Sequence, residues 1–342
     1  NMSLLDCLQG GCALRVLITG AAGFIGRMVT EAMAVRDELV VDGRARQISS
    51  ILANDVAPEP LEDLARRHSL VHAVPGTIDS PEVLARIRED MPDLVVHLAA
   101  VVSGQAEQDF DLGMRVNLQA AIALINACRD SPQPPVLLFS SSVAVFSCSD
   151  NETISEDTLP APMSSYGTQK HIGELLVRDA SRKGFVKGRA IRLPTISVRP
   201  GKPNKAASSF ASGIVREPLA GERADLPVGR DLRLHLASPA KALEYVLTAA
   251  GLSQDSIGLE TTLTLPGITV TVGEMVDTLE ALAGAEATGR IVSRPDPDIE
   301  RIVVSWPGQI LTPRAEALGF RPNTDFAEIV REHMDISQIA GR

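Results

Sequence analysis

The sequence is poor in cysteine. Its 342 residues contain four, and none of them forms a C-x-x-C pair. Thiols so few and so scattered suit a reducing cytoplasm better than a disulfide framework, and they offer no thiolate set for a metal ion. We therefore expect no bound metal, and we expect all four cysteines to be unpaired thiols: Cys7, Cys12, Cys128 and Cys148.

Basic charge and long apolar runs are also in short supply. The 43 acidic residues outnumber the 33 basic ones and give a formal charge of −10, whereas binding to a nucleic acid backbone needs a basic surface. The longest apolar run, residues 94–102, is far shorter than the roughly 18 residues of a membrane span and is better explained as a buried strand. Residues 1–13 lack the basic flank and apolar stretch of a secretion signal. We expect no nucleic acid partner, no membrane partner and a cytoplasmic location.

A glycine-rich turn follows the first predicted strand. Residues 15–19 are β-branched and apolar, Gly20, Gly23 and Gly26 come next, and residues 27–35 have helical composition. Glycines allow a phosphate to approach the backbone, and the start of the following helix presents free N–H groups to it. The spacing G-x-x-G-x-x-G between strand and helix therefore favours dinucleotide binding, with an ordinary tight turn as the alternative.

Strand and helix signals continue to alternate along the chain. This pattern indicates an α/β protein whose parallel sheet is connected by crossover helices. Further strands are predicted at residues 48–56, 70–74, 93–100, 135–140, 187–193 and 261–265, and helices at residues 81–89, 111–129, 165–183 and 239–250. Prolines and glycines become more frequent after Pro194, which indicates a change of architecture there.

Tyr166 stands four residues before Lys170 at the start of a predicted helix. Side chains at this spacing are neighbours on one helical face, so the ammonium of Lys170 can favour the ionised form of the phenol. A phenol whose pKa is lowered in this way can accept a proton while an alcohol is oxidised. Taken alone the spacing is weak, because an ordinary exposed helical pair has the same pattern.

Taken together, these features resemble the extended short-chain dehydrogenase/reductase family, which includes NAD-dependent epimerases and dehydratases. The matching segments are residues 19–26, 77–79, 97–100, 116–118, 139–142 and 166–170. The resemblance implies NAD as the cofactor and a Rossmann-like doubly wound parallel sheet. We predict an NAD-binding domain at residues 13–195, rejoined by residues 236–266, and a smaller substrate-binding lobe at residues 196–235 and 267–342. A homodimer through the helices at residues 111–129 and 166–183 is an expectation from the family.

The resemblance also implies roles for individual residues. Tyr166 would accept the proton, Lys170 would lower the pKa of Tyr166 and bind the nicotinamide ribose, and Ser142 would hold the substrate hydroxyl. The cofactor would be bound by Gly20, Gly23, Phe24, Ile25, Gly26, Asp79, Leu98, Ala99, Ala100, Asn117, Tyr166, Lys170 and Pro194. As an isolated acid, Asp79 could instead cap the helix that begins near Pro81.

The acid that binds the adenosine ribose is ambiguous. Such an acid normally follows the glycine turn by about 20 residues, and Asp42 is close to that spacing. Asp42 however lies in what looks like a turn inside an insertion, whereas Asp55 ends the better strand, residues 48–56. We therefore choose Asp55 and keep Asp42 as the alternative.

The segment after Pro194 departs from the family members that act on nucleotide sugars. It is similar to that of family members that oxidise small sugar acids, and it contributes Arg199, Lys202, Asn204 and Ser208 to the predicted substrate site, together with Ser103 and Ser142. A solvated basic loop is the alternative for the basic residues. Phe146 and Val143 also depart from the family pattern and cast doubt on epimerase chemistry.

Scarcity of aromatic residues bears on the substrate as well. Two tyrosines, one tryptophan and eight phenylalanines leave few side chains on which a nucleotide base could stack. We expect NAD-dependent oxidation of the C2 hydroxyl of a small aldonate such as D-erythronate. The alternatives are a nucleotide-sugar epimerase or dehydratase with tightly bound NAD, and a non-catalytic dinucleotide sensor, which the presence of Ser142, Tyr166 and Lys170 disfavours.

Overall fold

The structure is a computed structural model that describes residues 13–148, 151–201 and 206–340, with side chains up to residue 336. Its strands are β1 (Leu14–Thr19), β2 (Glu38–Val41), β3 (Arg44–Asp55), β4 (Val71–Pro75), β5 (Leu94–His97), β6 (Val136–Ser142), β7 (Thr153–Ser155), β8 (Lys187–Leu193), β9 (Thr195–Ile196), β10 (Ala224–Leu226), β11 (Arg233–Ala237), β12 (Thr262–Thr264), β13 (Ile268–Thr271), β14 (Ile291–Ser293) and β15 (Gln309–Leu311).

The helices are α1 (Phe24–Ala34), α2 (Pro58–Arg67), α3 (Pro81–Asp90), α4 (Ser103–Gln108), α5 (Phe110–Gly113), α6 (Ala120–Cys128), α7 (Ser165–Arg182), α8 (Ser209–Leu219), α9 (Pro239–Gly251), α10 (Gln254–Ile257), α11 (Val272–Ala283), α12 (Ala285–Thr288), α13 (Pro297–Val304), α14 (Pro313–Ala317) and α15 (Phe326–Ala340). A π-helical segment, Met114–Gln119, joins α5 to α6, and a 3-10 turn, Val143–Val145, follows β6. Among the described residues, no helix has the length and apolar character that crossing a bilayer would require.

An eight-stranded sheet forms the centre of the fold. Its order is β12-β8-β6-β5-β1-β3-β2, with β4 also paired to β3. Every pairing is parallel except that of β2 with β3. From β1 the chain first adds strands on one side and then, from β5 onward, on the other, so the strand order reverses between β1 and β5. The predicted Rossmann-like doubly wound sheet is thus confirmed.

Burial on both faces explains why the central strands are almost continuously apolar. In β1, Val16 and Ile18 belong to the apolar core that includes Tyr245 of α9, whereas Leu17 belongs to the core that includes Leu124 of α6. Successive side chains of a strand point to opposite faces, so this one short segment supplies both layers. The sheet is therefore covered by helices on each side.

A second apolar core lies outside the large sheet. It combines side chains of α8, α11 and α15, among them Ile214, Met275 and Ile329, with strands β11 and β13 of the three-stranded sheet β13-β11-β9. The C-terminal segment contributes to both cores, because Ala315 and Phe320 pack with the core of the large sheet. The division into a cofactor domain and a substrate lobe stays a prediction.

Several predicted elements need correction. The strand expected at residues 93–100 ends at His97, because residues 98–102 leave the sheet. Helix α2 and strand β2 were not among the predicted elements. Asp42 and Gly43 form the two-residue turn between β2 and β3, with φ values of 52° and 74°, as a tight hairpin requires. The prediction that Asp42 lies in a turn is therefore confirmed. Cys128 and Cys148 are free thiols, and Cys7 and Cys12 lie outside the described residues.

Candidate active site

A cavity of about 380 Å³ opens at the carboxyl ends of the central strands. Ligands of open α/β sheets bind at this edge, where the strand order reverses. Most of the predicted site residues line it: Gly20, Gly23, Phe24, Ile25, Gly26, Leu98, Ala100, Ser103, Ser142, Tyr166, Lys170, Pro194, Arg199 and Ser208. The structure thus brings the predicted glycine turn, catalytic residues and substrate residues to one place.

The glycine turn joins β1 to α1 without room for side chains. A Cβ atom on Gly26 would lie 2.0 Å from the carbonyl oxygen of Gly20, so any other residue there would push α1 away from the end of β1. Helix α1 begins at Phe24 with neither a side-chain cap nor an acidic residue in its first turn. Its first N–H groups have no partner within the helix, and they carry the positive end of the helix dipole. This turn fits the phosphates of a dinucleotide.

Asp55 lies beside the glycine turn, and Asp42 does not. The Asp55 carboxylate accepts hydrogen bonds from the backbone N–H groups of Ala22, at 3.1 Å, and Ala57, at 3.2 Å. Asp42 instead accepts bonds from Lys187, at 2.5 Å, and from Arg189, at 3.1 Å. Burial acts to raise the pKa of Asp42, but the bond from Lys187 and the other interactions of this carboxylate outweigh it, and the pKa is lowered. The geometry favours Asp55 over Asp42 as the acid next to the cofactor.

Four predicted cofactor residues do not line the cavity: Asp55, described above, and Asp79, Ala99 and Asn117. Asp79 is exposed, and the cap of α3 that was considered for it is supplied by Ser80, which accepts from Val83 N–H. Ala99 packs under the turn, since a Cβ on Gly20 would lie 2.7 Å from its nitrogen. The role predicted for Asp79 therefore rests on the family resemblance.

Asn117 is the last of these four residues. It is buried, and its side chain bonds both backbone polar groups of Val101, at 2.9 and 3.2 Å, and the side chain of Gln169, at 2.8 Å. Val101 lines the cavity. Asn117 therefore supports the wall of the cavity through the Val101 backbone, and its predicted contact with the cofactor stays a prediction.

Ser142 and Tyr166 are positioned by the 3-10 turn that follows β6. The Ser142 hydroxyl oxygen accepts from Ala144 N–H at 3.1 Å, and the hydroxyl also forms a hydrogen bond with the Tyr166 phenol. Helix α7 is capped by Ser164, which accepts from Gly167 N–H at 3.1 Å. A Cβ on Gly167 would lie 2.2 Å from the Ala144 carbonyl oxygen. This contact requires glycine directly after Tyr166 and holds the start of α7 against the turn.

Lys170 lies one helical turn further along α7 and is fully buried. Its ammonium donates to the Ser140 carbonyl at 2.8 Å and lies 5.7 Å from the centroid of the Tyr166 ring. Burial lowers the pKa of Lys170 to about 8, although the charge of Glu174 opposes this. At neutral pH the side chain is therefore mostly charged.

A cation that was not predicted to do so, Arg199, acts on Tyr166. Burial raises the pKa of its phenol to about 12, while interaction with the Ser142 hydroxyl and the positive charge of Arg199 act to lower it. The i, i+4 spacing predicts that Lys170 lowers this pKa, and that role stays a prediction. Arg199, from the segment after β9, adds a lowering charge that the spacing does not predict.

Arg199 is the principal charge on the substrate side of the cavity. Its guanidinium donates to the Ser208 hydroxyl at 3.2 Å. Among the described residues, no carboxylate forms an ion pair with it, and burial together with the nearby charge of Arg216 lowers its pKa. Ser103 closes the same side, its hydroxyl accepting from Ala207 N–H at 3.3 Å. Lys202 and Asn204 lie outside the described residues.

Two features of the site were missed by the sequence analysis. Glu174 is buried behind Lys170 and accepts from both Nε and Nη2 of Arg192, at 2.8 Å each, and from Ser141 at 2.5 Å. This network ties α7 to β6 and β8. Trp306, the one tryptophan of the sequence, also lines the cavity. Neither residue belongs to a short motif, and only the scarcity of tryptophan could have drawn attention to Trp306.

Comparison with known proteins agrees with this geometry. The NAD dependent epimerase/dehydratase family matches residues 16–235. The chain is 44% identical to a D-erythronate dehydrogenase of Cupriavidus necator, covering 96% of this chain and 100% of that protein. It is 38% identical to a D-erythronate dehydrogenase of Haemophilus influenzae, covering 94% and 99%.

Among solved structures, the nucleoside-diphosphate-sugar epimerase from Agrobacterium tumefaciens is 37% identical and superposes with a TM-score of 0.84 over 94% of each chain. The extent of these matches, together with the glycine turn and the Ser142, Tyr166 and Lys170 set at the sheet edge, leads to one assignment. The chain belongs to the NAD dependent epimerase/dehydratase family.

Proposed function

We propose that this protein is an NAD-dependent dehydrogenase that oxidises the C2 hydroxyl of D-erythronate to 2-dehydro-D-erythronate. The observation that carries the proposal is that Ser142, Tyr166 and Lys170 share one cavity with the glycine turn and with Arg199, a cation that has no acidic partner among the described residues. Two relatives that match nearly the whole chain are named D-erythronate dehydrogenase. Chemistry and substrate class are thus supported by independent observations.

The cofactor half of the cavity suits NAD. The first-turn N–H groups of α1 would bind the pyrophosphate, and Asp55 would accept the hydroxyls of the adenosine ribose. The backbone of Leu98 and Ala100 would pass close to the cofactor, and Lys170 would bind the nicotinamide ribose. When bound, NAD supplies the acceptor for the hydride that leaves C2 of the substrate.

The protein's own residues would manage the proton. Ser142 donates to the substrate hydroxyl oxygen and holds it beside Tyr166, whose phenolate accepts the hydroxyl proton as the carbonyl forms. A phenol with a pKa near 12 is mostly protonated at neutral pH, so positive charge close to Tyr166 is needed to increase the share of phenolate. Arg199 supplies part of this charge from the substrate side. The ammonium of Lys170, on the same helix as Tyr166, is a further positive charge.

The substrate half suits a small carboxylate. Arg199 can form charge-assisted hydrogen bonds to the carboxylate, and Ser208, which accepts from Arg199, can donate its own proton to the same anion. The Ser103 hydroxyl likewise accepts from the protein and can donate to a substrate oxygen. Lys202 and Asn204 remain predicted substrate residues on sequence grounds.

A nucleotide-sugar epimerase or dehydratase is the second candidate. The similarity to a solved structure described as a nucleoside-diphosphate-sugar epimerase favours it, and in such an enzyme NAD would be regenerated within each turnover. The test is to follow NADH formation by the purified protein with three- to six-carbon aldonates and, separately, with UDP- and dTDP-sugars. We expect NADH with D-erythronate. Conversion of a nucleotide sugar, with no NADH from any aldonate, would replace the first proposal by the second.

A homodimer and a cytoplasmic location complete the proposal. Ile122 of α6 and Leu175 of α7 are 39% and 52% exposed, which is consistent with pairing of these helices between two subunits. The replacement Leu175→Arg should therefore shift the protein from dimer to monomer in light scattering. A wild-type protein that is monomeric at all concentrations would contradict the predicted dimer.

A further inference from the structure

Trp306 is the large aromatic side chain on the substrate side of the cavity. Of the residues that line the cavity, the other aromatic side chains are Phe24, in the glycine turn, and Tyr166, which the proposed chemistry uses. Trp306 is half-buried, and it packs against the second apolar core. The indole therefore stands between that core and the space that holds Ser142 and Arg199.

The backbone around Trp306 is fixed on both sides by the segment that follows the 3-10 turn. Asn151 is buried, with φ of 56°, and donates from Nδ2 to the Trp306 carbonyl at 2.9 Å. Its side chain also bonds both backbone polar groups of Arg233, each at 2.9 Å. Cys148 N–H donates to the Ser305 carbonyl at 2.9 Å, and β15 pairs with β7. The backbone of Trp306 is thus held in place by hydrogen bonds and by the pairing of β15 with β7.

Two anchors restrict how a sugar acid can lie in this cavity. In the function proposed above, on which this inference rests, Arg199 and Ser208 bind the carboxylate at C1, while Ser142 and Tyr166 engage the hydroxyl at C2. C1 and C2 are adjacent carbons, so fixing both of them also fixes the direction in which the remaining carbon chain extends. The rest of a short acid must then lie against the remaining wall of the substrate half.

We infer that Trp306 forms this wall and sets the length of sugar acid that the enzyme accepts. A flat indole contacts the C–H groups of a short chain and excludes water from them, and its bulk blocks the carbons that follow C4. The residue thus determines specificity without contacting the reacting atoms. Phe24 and Tyr166 cannot take this role, because the first lies in the glycine turn and the second is engaged in catalysis.

The first test measures kcat/KM for D-erythronate and for five- and six-carbon aldonates with Trp306→Ala and Trp306→Phe. Loss of an apolar contact in a specificity pocket changes discrimination by about 10- to 200-fold. We expect Trp306→Ala to lower kcat/KM for D-erythronate at least about tenfold and to raise the ratio of the longer acids to D-erythronate by about the same factor. For both quantities, Trp306→Phe should lie between the wild type and Trp306→Ala.

Leu311→Ala is the matched control. Leu311 lies in the same C-terminal segment, is 51% exposed and does not line the cavity. It should change neither kcat/KM nor the chain-length ratio. An unchanged ratio in both Trp306 variants, while the wild type oxidises D-erythronate, would show that the inference is wrong and leave the proposed function intact.

The second test does not depend on turnover. Because the sequence contains one tryptophan, its fluorescence reports on this cavity alone. In a Tyr166→Phe background with bound NADH, D-erythronate should produce a saturable change in tryptophan emission, and glucose should not. If Trp306→Ala fails to fold, this titration and Trp306→Phe still decide the question. Emission that responds to a UDP-sugar but to no sugar acid, in a protein that oxidises no aldonate, would overturn both this inference and the proposed function.

Discussion

The two sides of the cavity are built in different ways. The cofactor side consists of backbone at strand ends and the glycine turn, with small residues such as Gly26 and Ala100. The substrate side depends on side chains, chiefly Arg199, Ser208 and Trp306, which come from segments outside the central strands. Most amino-acid substitutions leave the backbone N–H and C=O groups in place, whereas a single substitution removes a side-chain contact. The same cofactor side can therefore serve relatives with different substrates.

Tyr166 lies between the two sides, and its removal should have the largest effect. We expect Tyr166→Phe to lower kcat by about two to four powers of ten, the usual contribution of a positioned general base. The cofactor side should be unaffected, so affinity for NADH should stay close to the wild-type value, as measured by energy transfer from Trp306 to bound NADH. Near-normal turnover would remove Tyr166 from the mechanism.

Arg199→Met should damage the substrate side alone. Loss of a charge-assisted hydrogen bond of about 1.5 to 3 kcal/mol should lower kcat/KM for D-erythronate by one to two powers of ten, and affinity for NADH should not change. Because the charge of Arg199 lowers the pKa of Tyr166, its removal should raise that pKa. The acidic limb of the pH profile of kcat should therefore move to higher pH.

Arg199→Lys is the control for that replacement, because it keeps the charge but loses the fork of donors. In this variant the acidic limb of the pH profile should return close to its wild-type position, whereas the KM for D-erythronate should return only part of the way to the wild-type value. If the methionine variant weakens NADH binding as much as it weakens substrate binding, the separation between the two sides is not real.

The cofactor side could be predicted from sequence because its function depends on local spacing. Strand, glycine turn and helix are consecutive in the chain, so Gly20, Gly23 and Gly26 identified the turn without knowledge of distant contacts. Ser142, Tyr166 and Lys170 were found in the same way, as a strand end and a helix start. The position of Asp55 also followed from its strand, once Asp42 was recognised as part of a turn.

The substrate side could not be predicted equally well, because its contacts join residues far apart in the chain. The segment of Trp306 is held at the cavity by contacts with residues far away in the chain, among them Asn151. Likewise, the effect of Arg199 on Tyr166 has no sequence signal, and the i, i+4 spacing instead suggested Lys170. The sequence also does not show that Asn117 bonds the Val101 backbone and the Gln169 side chain.

Asp55→Asn tests the cofactor side at one of its few charged positions. A carboxylate accepts ribose hydroxyls and repels the additional phosphate of NADP, so we expect the ratio of kcat/KM for NAD to that for NADP to fall by about tenfold. An arginine near the ribose could attract that phosphate, but the guanidinium of Arg46 is paired with the Asp93 carboxylate at 3.2 Å. An unchanged ratio would show that Asp55 does not contact the ribose.

Asp42→Asn is the counterpart with the smallest expected effect on catalysis. Its carboxylate bonds Lys187 and the fully buried Arg189, away from the cavity. The ratio of NAD to NADP activity should therefore not change. The free energy of unfolding should fall by about 1 kcal/mol, because these bonds are weakened. The pKa of Asp42 is lower in the folded protein than its ordinary value. The carboxylate therefore stabilises the folded state fully above the unfolded pKa of about 3.9, and this stabilisation is lost as the pH falls through the folded pKa. Urea unfolding should therefore separate the variant from the wild type at neutral pH and bring the two together in acid. A change in cofactor preference would instead identify Asp42, and not Asp55, as the acid that binds the ribose.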